Sequence, residues 1–270
     1  MFDLSLYLSR IAHRPEAPGF PALAALQHAQ MAAIPFENTD PFLGRLPDLS
    51  PHALWQKLVL DRRGGYCLEL NGLFGAALGA LGYSARPILG RVRMGAPVGG
   101  PRAHLAWLVT LEGTEYLVDT GFGGPGPDTP VRLGQAERIA TALGIFRLRP
   151  DLASGEWVLE RETPEGWFAL YGFDRVSPVP GEIDAANRLC ALSDQSPFPA
   201  NLMLFRIAGR QRAGLMNLRL TLGETARPID GYDDFRRVLC GTFALPDDPA
   251  RLSALWTRLA GPQDRARAAR

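Results

Sequence analysis

Apolar positions between residues 68 and 81 fall on one stripe. Leu68, Leu70, Leu73, Phe74, Ala77, Leu78 and Leu81 recur about every three to four residues, which predicts an amphipathic helix. Gly64 and Gly65 punctuate its start and Gly82 its end. Residues 1 to about 84 read as helical throughout. Leu4, Leu8 and Ile11 share one face, and Pro21 to Ala33 is rich in alanine and leucine and stops at Pro35. Ser50-Pro51 is an N-cap followed by a first-turn proline, ahead of Ala53 to Leu60.

From about residue 85 to 175 the period changes to two. Candidate strands are Ala85 to Val92, Ala103 to Leu111, Glu115 to Asp119, Ile145 to Arg149, Trp157 to Glu162 and Trp167 to Phe173. Tight turns at Glu112-Gly113-Thr114, Ser154-Gly155 and Pro164-Glu165-Gly166 separate several of them, which predicts a small antiparallel sheet or barrel. Gly121 to Pro130, rich in glycine and proline, reads as a loop. A helix from about Glu182 to Leu192 leads to a last segment of strands (Leu202 to Ala208, Leu215 to Leu222) and helices (Tyr232 to Leu239, Pro249 to Leu259).

The chain has 270 residues, 46% of them hydrophobic, enough for one large domain or two to three small ones. Its net charge of +1 gives no electrostatic case for binding nucleic acid or an acidic membrane surface. Pro262 to Arg270 is locally basic and reads as a solvated tail. Lys57 is the only lysine, which reads as the codon bias of a GC-rich genome. The 3 cysteines lack regular spacing, which argues against a disulfide framework, and no Cys or His pair sits at metal-ligand spacing, so no metal is expected. Met1 to Arg14 lacks a signal-peptide pattern and no apolar run approaches a membrane span, so the expectation is a cytoplasmic protein with reduced thiols. The oligomeric state stays open, a homo-oligomer included.

Cys67 begins the helix that follows the glycine pair. The positive end of the helix dipole falls on its sulfur and favours thiolate, the nucleophilic form; the alternative is a small buried hydrophobe. A cysteine nucleophile needs a base in reach and a group to orient the base. Of the four histidines, His13, His28 and His52 read as surface or packing residues. His104 opens a strand that turns at Gly113 and returns to Asp119, a carboxylate that ends an apolar strand and needs a partner. A plain hairpin leaves the two about two to three residues out of register at roughly 3.3 Å per residue, so a bulge or strong twist near the turn is expected. Glu69 points away from Cys67 around the helix and is a poor direct base. Cys190 and Cys240 read as packing residues.

Four ordered blocks resemble the arylamine N-acetyltransferase family: Ile34-Pro35-Phe36-Glu37-Asn38; Arg63-Gly64-Gly65-Tyr66-Cys67-Leu68-Glu69-Leu70-Asn71; His104; and Asp119-Thr120-Gly121-Phe122-Gly123. The resemblance covers most of the first 200 residues and thins over the last 70. It implies an α+β fold with a cysteine-protease or transglutaminase-like core: a helical bundle over 1–84 carrying the nucleophile, an antiparallel β-barrel over 85–181 carrying His and Asp, a linking helix over 182–200, and an α/β lid over 201–270. It implies a catalytic triad of Cys67, His104 and Asp119, acetyl-CoA as cosubstrate with no tightly bound cofactor, and a small aromatic amine or hydrazine as acceptor. Phe36 and Phe122 match residues that line the aryl pocket, and Glu37 and Arg63 match an ion pair that supports the active-site loop. Ala103 stands where the family usually has threonine, a departure that bears on a coenzyme contact. Three other readings share the triad order or its pocket: an amide synthase closing a macrolactam, a cysteine hydrolase or transglutaminase-like enzyme, and a binding protein with an inert pocket.

Overall fold

A computed structural model describes residues 2–134, 138–209 and 211–260. The basic stretch Pro262 to Arg270 lies outside the described residues. The chain opens with helices α1 (Leu4–Arg10) and α2 (Phe20–Ala33), a two-residue strand β1 (Phe36–Glu37), and helices α3 (Thr39–Phe42), α4 (Pro51–Trp55) and α5 (Cys67–Ala80). The Asp3 carboxylate accepts the N–H of Leu6 to cap α1, and the Ser50 hydroxyl accepts that of Ala53 to cap α4. The end of α4 loosens into a π-helical turn, Gln56–Leu60, closed by the Asp61 N–H on the Gln56 carbonyl.

Eight strands follow the helices: β2 (Ser84–Val92), β3 (Arg102–Leu111), β4 (Thr114–Val118), β5 (Val131–Arg132), β6 (Ile139–Thr141), β7 (Gly144–Asp151), β8 (Glu156–Thr163) and β9 (Gly166–Phe173). They form one antiparallel sheet in the order β5-β4-β3-β2-β9-β8-β7-β6, whose ends approach each other where β5 meets β7. The sheet is a nearly closed barrel filled by Ile88, Leu108, Leu117, Phe146, Leu159 and Tyr171. The other face of β3 and β4, through Leu105, Val109 and Val118, packs on the helices. Helix α6 (Pro180–Leu192) crosses to a second sheet of β10 (Met203–Ala208), β11 (Gln211–Met216), β12 (Arg219–Leu222) and β13 (Thr225–Pro228), backed by α7 (Gly231–Arg237), a π-helical turn (Val238–Thr242) and α8 (Pro249–Leu259).

Three differences from the sequence reading have local causes. The strand expected over Leu215 to Leu222 is a hairpin, because Asn217 takes φ 52 and its side-chain oxygen accepts the N–H of Leu202. The helical N-terminal segment gives β1 to the edge of the second sheet, pairing Phe36 with Phe205. The turn at Glu112-Gly113 is a regular two-residue hairpin turn, both residues at positive φ, and carries no bulge. The irregularity lies at the far end of β3: Gly90 pairs with His104 and Arg91 with Arg102, which leaves Ala103 as the extra residue.

Helix α5 lies against β3 so closely that Gly75 faces the Trp107 ring with no room for a side chain. The indole is anchored there, its N–H donating to the Asn71 carbonyl at 2.8 Å. Gly75→Ala gains about 1 kcal/mol of helix propensity but overpacks a fixed ring, which costs about 1–3 kcal/mol. The expected outcome is a net loss in the urea midpoint at unchanged slope; an equal or higher midpoint shows that the ring can move aside.

Candidate active site

The first turn of α5 rests on the open end of the barrel. Cys67 is the first residue of that helix and is buried. Its sulfur lies against the backbone N–H groups of Leu68 and of Leu105, the residue that follows His104. The chain passes over it again after Asp119: a Cβ on Gly121 would lie 2.7 Å from the Cys67 Cα. Only glycine permits that approach.

His104 and Asp119 share the barrel-interior face. Trp107 pairs with Val118 in the β3–β4 ladder, so position 119 would fall opposite Ala106, two residues along the same face from His104. Such diagonal neighbours are in reach of long side chains, and this explains why no bulge is needed at the turn. Nε2 of His104 lies 2.7 Å from Oδ2 of Asp119. That nitrogen carries the proton given to the carboxylate, which leaves Nδ1 for chemistry. The imidazole is held edge-on by Phe122, 5.0 Å between centroids, and by Tyr171, at 4.7 Å.

Asp119 is buried with both oxygens satisfied. Oδ2 also accepts from the Tyr171 hydroxyl at 2.9 Å, and Oδ1 accepts from Asn71 Nδ2 at 2.9 Å and the Gly121 N–H at 2.8 Å. Burial would raise its pKa, but His104 and these donors hold it below the ordinary carboxylate value. At Cys67 the balance runs the other way. Burial, then the neighbouring Cys190 and Asp119, push the thiol well above its ordinary value, against the pull of the two N–H groups. The pull toward thiolate expected from the helix start is opposed here by desolvation.

Cys67, His104 and Gly121 line a cavity of about 420 Å³. Phe36 and Phe122 are on its wall, as the sequence suggested, joined by Phe198, Phe205, Met203 and Met216. Cys190, expected to be a packing residue, is on the same wall; its thiol donates to the Ala103 carbonyl at 3.6 Å, and burial pushes it up to about 12. Cys240 lies apart, half-buried against the second sheet's core.

Asn71 and Tyr171 escaped the sequence reading. Asn71 had a signal, since it stands four residues after Cys67 on the same helix face. It also accepts the Thr120 N–H at 3.0 Å and so fixes the backbone after Asp119. Tyr171 had none, because only barrel closure brings β9 to Asp119. Gln30, buried in α2, donates to Thr120 Oγ1 at 2.8 Å and secures the same loop.

Glu37 and Arg63 meet as expected, Oε1 to Nη2 at 2.9 Å. Although burial would raise the Glu37 carboxyl, Arg63 and then Lys57 hold it below its ordinary value. Arg63→Gln strands a buried carboxylate, and breaking such a pair costs about 3–5 kcal/mol. A depressed pKa stabilises the fold above the unfolded value, about 4.3 for glutamate, and that contribution is lost as pH falls through the folded one. The stability gap between wild type and Arg63→Gln, read as urea midpoints, is therefore expected to be full at pH 7 and to shrink below pH about 4; equal midpoints at pH 7 contradict it.

A family model described as N-acetyltransferase matches residues 20–243. The arylamine N-acetyltransferase / N-hydroxyarylamine O-acetyltransferase of Salmonella typhimurium is 37% identical over 75% of this chain and 72% of its own length. Among solved structures, the S. typhimurium arylamine N-acetyltransferase superposes with a TM-score of 0.88 at 32% identity, over 94% of this chain and 97% of that one. The Mycobacterium marinum arylamine N-acetyltransferase in complex with CoA gives 0.88 at 33% identity, over 95% and 98%. Similarity at this level, spread across nearly the whole of each solved chain, leaves one conclusion: the chain belongs to the arylamine N-acetyltransferase family.

Proposed function

We propose that the enzyme carries out its reaction in two steps through Cys67. It is an arylamine N-acetyltransferase, an enzyme that moves an acetyl group from acetyl-CoA to the nitrogen of an arylamine. The observation that supports the two-step reading is that Cys67 and His104 both line one apolar cavity, with Asp119 bonded to His104 behind it. Nδ1 of His104 takes the thiol proton as the sulfur attacks the acetyl carbonyl carbon, so the buried thiolate exists only beside an imidazolium. Asp119 holds the ring and its tautomer and balances the new positive charge. The backbone N–H of Cys67, at the positive end of α5, would stabilise the developing oxyanion. The carbon–sulfur bond to CoA breaks, the CoA thiolate takes the imidazolium proton, and an acetyl-cysteine remains. The amine nitrogen then attacks the thioester and gives its proton to His104; the Cys67 sulfur leaves and is reprotonated.

The proposed division of labour follows the chain. Residues 1–84 supply the nucleophile, 85–181 the base and its carboxylate, 182–200 a link, and 201–270 a lid over the cavity. We place the enzyme in the cytoplasm, where thiols stay reduced and acyl-CoA is at hand. Phe36 and Phe122 form the aryl pocket with Phe198 and Phe205, whose rings lie 6.0 and 5.7 Å from that of Phe36.

Incubation with acetyl-CoA alone is expected to add the mass of one acetyl group, at Cys67, by peptide mass spectrometry. Cys67→Ala is expected to take up none and to show no turnover while its circular dichroism is unchanged. Turnover in that variant ends the two-step reading.

Phe122 packs on His104 with one edge and presents its ring to the cavity. Aromatic pairs contribute about 0.5–1.5 kcal/mol beyond area burial, so Phe122→Leu is expected to shift relative rates among arylamines several-fold. Amine-free acetylation of Cys67 is expected to stay near wild type. An unchanged amine ranking removes Phe122 from the acceptor pocket.

A further inference from the structure

The Gly64-Gly65 turn that delivers Cys67 is seated on the side chains of two glutamates. A Cβ on Gly64 would lie 2.7 Å from Cγ of Glu37, and one on Gly65 would lie 2.9 Å from Oε2 of Glu69. Each carboxylate has its own cation: Arg63 for Glu37, and Lys57, whose Nζ is 2.7 Å from Glu69 Oε1. Asp40 joins the two cations, its Oδ2 lying 2.8 Å from each. Arg251 of α8 reaches Asp40 Oδ1 at 2.9 Å and ties the second sheet's helices to the cluster. The free oxygen of Glu69, Oε2, accepts the N–H of Tyr66 at 3.2 Å, the residue before Cys67.

Lys57 has an odd place in this chain. It is the one lysine among 29 basic residues, arginine filling every other such position. Its ammonium bridges two carboxylates from different segments, a task for a compact charge with three freely placed donors; a planar guanidinium fits it badly. It stands in the π-helical turn Gln56–Leu60, a rare geometry that recurs at functional sites. Codon bias accounts for the arginines and leaves this exception to be explained by its contacts.

We propose that Lys57 is a positioning residue for acetylation of Cys67: its ammonium keeps Glu69 ionised, and the Glu69 carboxylate then holds the Tyr66 N–H and the first turn of α5 at the cavity wall. The proposal rests on the two-step reading above. Glu69 is buried, and burial drives its carboxyl above the ordinary value. Lys57 is the cation that opposes this; Glu37, from β1, adds to the rise. Asp40 of α3, Arg63 of the loop and Arg251 of α8 complete the charged groups packed around it; Lys57 alone of the cations bonds its carboxylate, and Arg63 acts on it at longer range. Without Lys57 the carboxyl takes up a proton at a higher pH, its hold on the Tyr66 N–H weakens, and the sulfur is presented less often.

The test is amine-free acetylation of the full-length protein by acetyl-CoA, followed by mass spectrometry at a series of pH values. Lys57→Met is expected to slow the reaction at pH 7 by roughly tenfold to hundredfold, the range brought by misplacing a reacting group by about an ångström. Its rate is expected to climb with pH through an ionisation that wild type lacks, because ionised Glu69 is the working form. Half-saturation by acetyl-CoA is expected to hold. Adding Glu69→Gln is expected to restore the rate and abolish the new pH step, since an amide oxygen accepts the Tyr66 N–H without titrating. If Lys57→Met does not fold, Lys57→Gln, which also removes the charge, carries the same test with the same rescue. A wild-type rate in the single variant, or a double variant as slow as the single, overturns the proposal. Wild-type protein that takes up no acetyl group at Cys67 overturns the two-step reading itself, and the proposal with it.

Discussion

Asp119 is a charged group in the interior, and much of the molecule is arranged around making that tolerable. A buried carboxylate costs several kcal/mol unless its lone pairs are occupied. Here the occupants come from across the fold: His104 from β3, Tyr171 from β9, Asn71 from α5 and the N–H of Gly121 from the following loop. Barrel strands and nucleophile helix are therefore bound to one atom pair. The backbone beyond is held as well, with Gln27 donating to the Asp119 carbonyl and Gln30 to Thr120. The carboxylate that holds His104 thereby also sets the register between helices and barrel.

The nucleophile's turn follows a second logic. Two successive glycines allow the chain to come down onto Glu37 and Glu69, and the backbone of β1 bonds to the same turn through the Glu37 N–H on the Gly65 carbonyl. Because β1 is also the edge strand of the second sheet, the turn feels that sheet directly. The three acids and three bases balance in charge, as burial requires, and replacing any one leaves the others unpaired. Such a cluster adds little net stability over an apolar core. It does fix one geometry, which is what a reacting sulfur needs.

Between these two supports lies an apolar space with few polar groups beyond the reacting ones. Its walls combine barrel, linking helix and second sheet: Phe122 from the loop after β4, Cys190 and Phe198 from α6 and its exit, Phe205 from β10. Apolar walls keep water scarce in that space. They also strengthen the hydrogen bond between His104 and Asp119.

Much of this was legible in the chain. The helix from Cys67, the strand carrying His104, the hairpin turn at Glu112-Gly113 and the glycine-rich loop after Asp119 are local patterns, set by period and turn chemistry over a few residues. The family blocks named Cys67, His104, Asp119, Glu37, Arg63, Phe36 and Phe122, because chemistry at a site restricts residue type. What the sequence could not carry depends on distance across the fold. Tyr171 reaches Asp119 only because a sheet closes on itself, Cys190 lies beside Cys67 only because α6 crosses the barrel mouth, and Lys57 has meaning only beside Asp40 and Glu69. The electrostatics of Cys67 belong here too, since a helix start favours thiolate while burial, a property of the whole molecule, opposes it. By itself the sequence determined most of the elements, the candidate site residues and their order along the chain. Packing decided which side chains meet and which charges water can no longer reach.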